Sequence, residues 1–352
     1  MIVRLISGDT PRSPILTALL LLILICLAGA PFLFEGVRAL DTAARICIFI
    51  LLVAGYDLLL GYTGIVSFAH TMFFGMGAYG VALASTHMGR GFDALLVGTV
   101  LGALAAIVLA LLIGLFSLRV RAIFFAMITL AVASAVAVLV SQFSDITGGE
   151  DGLTYKIPRV LTSANRMGEV MGVKFTGKIL NYYLIFFSSL ALFLLLLRIV
   201  NSPFGRVLQA IRENDFRAEA IGYRVVWYRT AATCLSAATA ALAGSLFAIW
   251  LRYVGPDTTL SFEIMLDILL MVVIGGMGTM YGAVLGAVLF VLAQTYLQNL
   301  MGAASHATEG LPLISELVDP DRWLMWLGIL FILSVYFFPT GIVGRLRRQG
   351  TT

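Results

Sequence analysis

Few residues in this chain have side chains suited to chemistry. Three histidines and three cysteines occur among 352 residues. His70 and His87 fall within and at the end of one apolar run, and His306 falls in a loop. No pair of them has metal-ligand spacing, and there is no G-x-S-x-G elbow. Cys26, Cys47 and Cys234 all sit in apolar segments, form no disulfide framework and read as small packing residues. From Gly172 to Ile179 the glycines and Lys178 are spaced as in a phosphate loop, but Ile179 stands where a hydroxyl must ligate magnesium. These residues give no catalytic centre, no metal site and no ATP hydrolysis by this chain alone. Nothing in them points to nucleic acid.

Polar groups inside apolar runs are the next candidates. Asp57 and Asp267 each interrupt one, and a charge there must face an interior partner or water. Glu263 and Asp267 are four apart on one helix face, close enough to a membrane surface to snorkel, which favours a structural pairing over a solute contact. His70 reads equally as a hydrogen-bonded packing residue or as one lining a pathway. An ion-driven carrier would use Asp57, Asp267 or His70 as its coupling group.

The densest polar stretch lies elsewhere. From Arg198 to Arg229, six arginines, two glutamates and one aspartate fall within 32 residues, in a chain only 12% charged. Ser202-Pro203 is a helix start, a hydroxyl N-cap followed by proline at the first helical position. Phe204, Leu208, Ile211, Ala218 and Ile221 keep helical spacing on one side, and Arg206, Arg212, Glu213 and Arg217 take the other. Gly222 offers a C-cap. The segment reads as one helix or two short ones outside the membrane. Acids interspersed with the arginines suit a protein partner better than an anionic bilayer, which favours an unbroken basic face.

Everything around this stretch is apolar. Hydrophobic residues make up 60% of the chain and its mean hydropathy is +1.00. Runs of about twenty apolar residues recur, each able to cross a bilayer core of ~30 Å. They are continuous, without period-two alternation, so the class is all-α polytopic membrane protein rather than β-barrel. Ten crossings are expected, near 15–34, 43–60, 65–86, 93–117, 122–143, 179–198, 230–251, 263–275, 280–298 and 324–342. The first ends in Ala28-Gly29-Ala30, which is like a signal-peptide cleavage site. Its apolar run exceeds the usual 7–15 residues of a signal core, so it reads as a retained span. The 263–275 run is short enough for a broken or re-entrant helix. Glycine turns, Gly61–Gly64 and Gly275–Gly278, join two of the helix pairs. Small residues recur every fourth position at Gly98, Gly102, Ala106, Ala110 and Gly114, at Ser236, Ala240, Gly244 and Ala248, and at Gly282 and Gly286, as close helix packing in lipid requires. With both termini inside, the inner segments hold 13 of the 23 basic residues and four of the 19 acids. That asymmetry places the termini and the arginine-rich segment in the cytoplasm.

Five stretches together resemble one family. AIRENDFRAEAIGYRVVWYR (210–229) is similar to the cytoplasmic coupling segment of ABC importer permeases of the branched-chain amino-acid type. LLLGYTGIVSFAHTMFFGMGAYG (58–80), TGGEDGL (147–153), LLMVVIGGMGTMYGAVLGA (269–287) and FPTGIVG (338–344) resemble other signatures of that family, in the family's order. Phe68-Ala69-His70 departs from it where glycine often precedes the histidine, and the 144–178 loop is longer than in many relatives. The resemblance implies a single permease domain over 1–352, of ABC importer permease fold, with a coupling segment at 199–229. Arg206, Arg212, Glu213, Asn214, Arg217, Glu219 and Gly222 would meet an ATPase. Gly61, Gly64, Ser67, His70, Gly275, Gly276 and Gly278 would border the pathway. It also implies a second, homologous permease, two cytoplasmic ATPases that hold ATP and magnesium, a periplasmic or extracellular solute-binding protein, and a bacterial inner-membrane location. Related permeases carry other small solutes such as urea or amides, so the solute stays open.

Overall fold

The structure, a computed structural model, describes residues 13–33, 36–117, 122–170, 173–307, 319, 322–337 and 341–344. Both chain termini, the 118–121 turn, Gly172 and Phe338–Thr340 lie outside the described residues, as does the side chain of His306. Twelve principal helices are described. They are α1 (Pro14–Ala28), α2 (Val37–Thr63), α3 (His70–Met88), α4 (Phe92–Ser117), α5 (Ala122–Gln142), α6 (Gly177–Val200), α7 (Pro203–Glu213), α8 (Asp215–Ala220), α9 (Val225–Leu251), α10 (Phe262–Gly275), α11 (Met280–Ala307) and α12 (Trp323–Phe337). Each of the ten expected crossings overlaps a described helix, the 65–86 crossing only from His70 onward.

Among the described residues, seven helical segments are long and apolar enough to cross a membrane. Helices α1 and α12 have 15 residues each within the described chain. α10 has 14 residues, about 21 Å of helix at 1.5 Å per residue, short of a bilayer core. A preceding turn of helix, Pro256–Thr259, lengthens it, and it stops at Gly276, whose φ is +117°. The short apolar run is thus a lengthened span ending in a glycine turn.

Helix α2 is the central post, with Ile48, Leu51, Leu52, Val53, Ala54, Leu58 and Leu59 fully buried. Small residues let α3, α4 and α9 close on one another, and α9 packs in turn on α2. A methyl group at Gly102 would stand 2.8 Å from the Met76 carbonyl oxygen and 3.0 Å from the Gly77 Cα. Gly244 lies against the Phe74 carbonyl in the same way, and Ala106, Ala110, Ala240 and Ala248 are fully buried. The four-residue stripes are therefore helix contacts, as their spacing requires. Helix α1 belongs to the bundle: Leu16 packs with Leu285 and Val343, and the Tyr183 hydroxyl donates to the Ala28 carbonyl (3.0 Å).

The chain between α5 and α6 folds back over one end of the bundle. Four short strands lie at this end: β1 (Leu153–Thr154), β2 (Arg166–Val170), β3 (Val173–Thr176) and β4 (Tyr253–Val254). β1 pairs antiparallel with β4, Leu153 opposite Val254, and β2 pairs antiparallel with β3. The Tyr155 hydroxyl donates to the Ala248 carbonyl (2.6 Å), and Lys178 pairs with Asp41 (2.9 Å) while lying over the Trp250 ring. The turns after α2 and α10 lie at the opposite end, against α7.

Candidate functional site

The arginine-rich segment folds as two helices, α7 and α8. Ser202 is the N-cap of α7 with extended backbone, and Pro203 is its first residue. The Ser202 hydroxyl does not cap the helix as expected. It donates back to the Ile199 carbonyl (2.6 Å) at the end of α6. Asn214 ends α7 and starts α8, its side-chain oxygen accepting from the Arg217 N–H (2.8 Å). α8 closes as the sequence suggested. Gly222 has φ +99°, and Tyr223 N–H reaches back to the Ala218 carbonyl (3.1 Å).

Leu208, Ile211 and Ala218 are buried with Val225, and Phe204 stacks on Tyr228. Ile221 is not part of that apolar edge. The chain has left the helix there, and the side chain is 70% exposed. Phe216 and Trp227 are exposed beside it. Arg206, Glu213, Arg217 and Glu219 face outward with them, and Asp215 meets Arg229 at 3.5 Å. The pattern of charges did not single out Phe216 and Trp227. The available signal was that these aromatics fall off the helical spacing of the apolar edge.

Arg212 is exposed like the others, yet it also reaches back to the bundle. Its guanidinium donates to the Gly61 carbonyl in the last turn of α2. Its stem lies where a methyl on Gly64 would be, 3.2 Å from Cγ. Four residues before Gly61, the Asp57 carboxylate accepts the Gly278 N–H (2.8 Å). Gly278, at φ +78°, has no room for a side chain, since a methyl there would come within 2.8 Å of Arg212 Nη1 and 2.9 Å of the Gly61 oxygen. Gly276 is approached in turn by Gly341, from the FPTGIVG stretch. The two glycine turns, over two hundred residues apart in sequence, are thus one assembly beneath α7.

Ser67 and His70 lie inside the bundle rather than on an open surface. His70 is fully buried, with Tyr56 and Phe73 edge-on to its ring. The Ser236 hydroxyl donates to the Gly55 carbonyl (2.5 Å) and so accepts from His70 Nε2 (2.6 Å), which places the ring proton on Nε2. The Ser67 hydroxyl accepts the Ala69 N–H (3.3 Å). Asp267 lies near the Gln294 side chain, while Glu263 is exposed.

At the end opposite α7 is a cleft of about 490 Å³ between α5, the start of α3 and the 256–262 segment. Phe68, Leu130 and Phe262 supply apolar wall, and Ser141, Gln142, Glu150 and Asp257 supply polar groups. Glu150 belongs to TGGEDGL, whose Thr147 hydroxyl donates to the Val140 and Phe143 carbonyls (2.5 and 2.7 Å) and holds the turn against α5. Among the described residues no cluster of three or more His, Cys, Asp or Glu could hold a metal ion.

A helical membrane protein with a folded helical knuckle at one end and a polar cleft at the other is organised as a transport protein. The chain belongs to the family described as branched-chain amino acid transport system, permease component, whose profile matches residues 38–335. It is 26% identical to the high-affinity branched-chain amino acid transport system permease protein LivM of Salmonella typhimurium strain LT2, over 98% of this chain and 78% of that one. It is 27% identical to LivM of Escherichia coli K12 over the same shares, and 26% identical to a probable LivM of Methanocaldococcus jannaschii, over 72% of this chain and 69% of that one. No solved structure matches.

Proposed function

We propose that this chain is the membrane-spanning subunit of a binding-protein-dependent ABC importer of the bacterial inner membrane. It carries a branched-chain amino acid or a similar small polar solute and is driven by ATP hydrolysed on partner subunits. A second, homologous permease completes the pathway. Two cytoplasmic ATPases hold ATP and magnesium, and a solute-binding protein delivers solute to the opposite face. The observation that carries this reading is the α7–α8 knuckle. It combines exposed charge (Arg206, Glu213, Arg217, Glu219) with exposed Phe216, Ile221 and Trp227, and it sits on the turns that end α2 and α10. Aromatic and arginine side chains on a solvent-facing knob suit a protein groove. The names of the relatives support the solute class. In the far cleft, Glu150 and Asp257 would meet an ammonium group, and Phe68, Leu130 and Phe262 an aliphatic side chain.

An ion-coupled carrier is less well supported. Two of its three candidate groups have a structural partner: Asp57 holds the Gly278 N–H and His70 holds Ser236.

Reconstitution with the companion subunits in vesicles tests the reading. Uptake should require ATP on the α7–α8 side and persist when proton and sodium gradients are collapsed. Uptake that follows an ion gradient without ATP refutes it. Gly222→Val forces a β-branched residue into a positive-φ position and should distort the exit from α8. Solute-stimulated ATP hydrolysis and uptake should both fall while the permeases still insert. Normal uptake with normal ATPase recruitment would remove the knuckle from the coupling role. Reversing Glu213 or Glu219 should do less, because an exposed pair contributes about 0–1 kcal/mol.

A further inference from the structure

Arg212 stands out because it lies in a segment read as partner-facing and, though exposed, also bonds back to the bundle. Three segments distant in the chain meet at it: the last turn of α7, the last turn of α2 and the glycine turn between α10 and α11. The final carbonyls of a helix lack intrahelical partners and carry the negative end of its dipole, so a cation is favoured there. Arg212 supplies one, donating to Gly61 O. Asp57, one turn earlier on α2, grips the other side by accepting the Gly278 N–H at 2.8 Å. Asp57 is 1% exposed, and its second carboxylate oxygen has no hydrogen-bond partner among the described residues. A buried carboxylate is costly, and an apolar residue would pack there without that cost. Its retained contribution is the directional bond to the Gly278 backbone. Gly278 fills the gap between the two grips, with no space for a side chain between Arg212 and Gly61.

We propose that Arg212 and Asp57 are positioning residues that form a two-sided clamp on the end of α2, passing displacement of the α7–α8 knuckle to α2 and to the α10–α11 turn. The proposal rests on the importer reading above and adds the path by which motion enters the membrane. Apolar contacts such as those of Leu208 and Ile211 slide at little cost. Directional bonds to two backbone groups on two different turns fix the register instead. Arginine suits the position because its planar fork holds a fixed orientation on a carbonyl, whereas lysine is a point charge on a flexible stem.

The test uses the full complex in vesicles with two readouts. The first is solute imported per ATP hydrolysed. The second is backbone amide hydrogen exchange at 61–64 and 275–279. Arg212→Gln should lower the transport ratio several-fold and speed exchange at both turns by roughly tenfold, the scale of losing one hydrogen bond to a charged group. Asp57→Ala should free the Gly278 amide in particular. Arg212→Lys keeps a donor and should fall between wild type and the Gln variant, and it carries both measurements if Arg212→Gln does not accumulate. A wild-type transport ratio with wild-type exchange at both turns in the Arg212 variants overturns the clamp. Failure of wild-type complex to show ATP-driven uptake overturns the importer reading instead, and the exchange readout then still decides whether Arg212 holds the two turns together.

Discussion

Single buried polar residues join the helices of this bundle at defined points. His70 is the clearest. It ties α3 to Ser236 of α9, and Ser236 in turn ties α9 to Gly55 of α2. Removing the imidazole leaves a cavity among Tyr56, Phe73 and Ser236, and it deletes a hydrogen bond in a dry interior. His70→Ala should lose about 2–4 kcal/mol of stability, the range seen when large side chains are cut from cores. Thermal unfolding of the solubilised protein checks this. Uptake per correctly folded molecule should stay near wild type, because the ring is enclosed by packing. Loss of uptake with unchanged unfolding would return His70 to the pathway. The sequence left His70 open between these two roles because an isolated histidine in an apolar run looks the same in both. Only the fold brings Ser236, 166 residues away in the chain, to the ring and gives the packing role its hydrogen bond.

At the scale of elements, close approach of helix backbones governs the interior. Gly102→Leu puts four carbons where a methyl already meets the Met76 carbonyl at 2.8 Å. Overpacking of this kind costs about 1–3 kcal/mol when neighbours can shift, and here the neighbours are backbone atoms of α3. The variant should therefore accumulate poorly and unfold at lower temperature in detergent. Wild-type yield and stability would mean that α3 and α4 are not in contact along this stripe. This contact was legible in the sequence, because small residues every fourth position can only serve one helix face. The membrane-crossing helices were legible too, from apolar runs alone, though not their exact number. So were the α7 start at Ser202-Pro203 and the stop at Gly222. The bond from Arg212 to Gly61 was not legible. In the α7 pattern Arg212 shares a face with Arg206 and Glu213, and its partner Gly61 is placed beside it only by the fold. Glu150 and Asp257 of the far cleft were missed for the same reason, since they come from segments joined through the β1–β4 pairing.

For the whole molecule, the ends of the bundle are distinct in chemistry. One end carries the arginine-rich knuckle and the glycine turns. The other carries the 144–176 segment with Lys156 and Lys174, and Lys178 at the adjoining start of α6; these are all the lysines of the chain. Positive residues are retained on the cytoplasmic side mainly when they flank spans in short loops, and long loops translocate largely regardless of charge. The three lysines lie in the long loop or at its end, so they do not oppose an orientation set by the arginines at 198–229. The knuckle should then lie in the cytoplasm and the 144–176 segment outside. Ser163 and Ala220 are exposed at these two ends and suit single-cysteine labelling once Cys26, Cys47 and Cys234 are replaced. A membrane-impermeant maleimide added to intact cells should modify Ser163→Cys and spare Ala220→Cys. Inverted vesicles should give the reverse. Modification of both positions from one side would break the alternation of spans between them, and with it the separation of an energy-receiving end from a solute-receiving end. Modification of Ala220→Cys alone in intact cells would keep the helices as described but turn the protein over, placing the knuckle where no cytoplasmic ATPase can reach it.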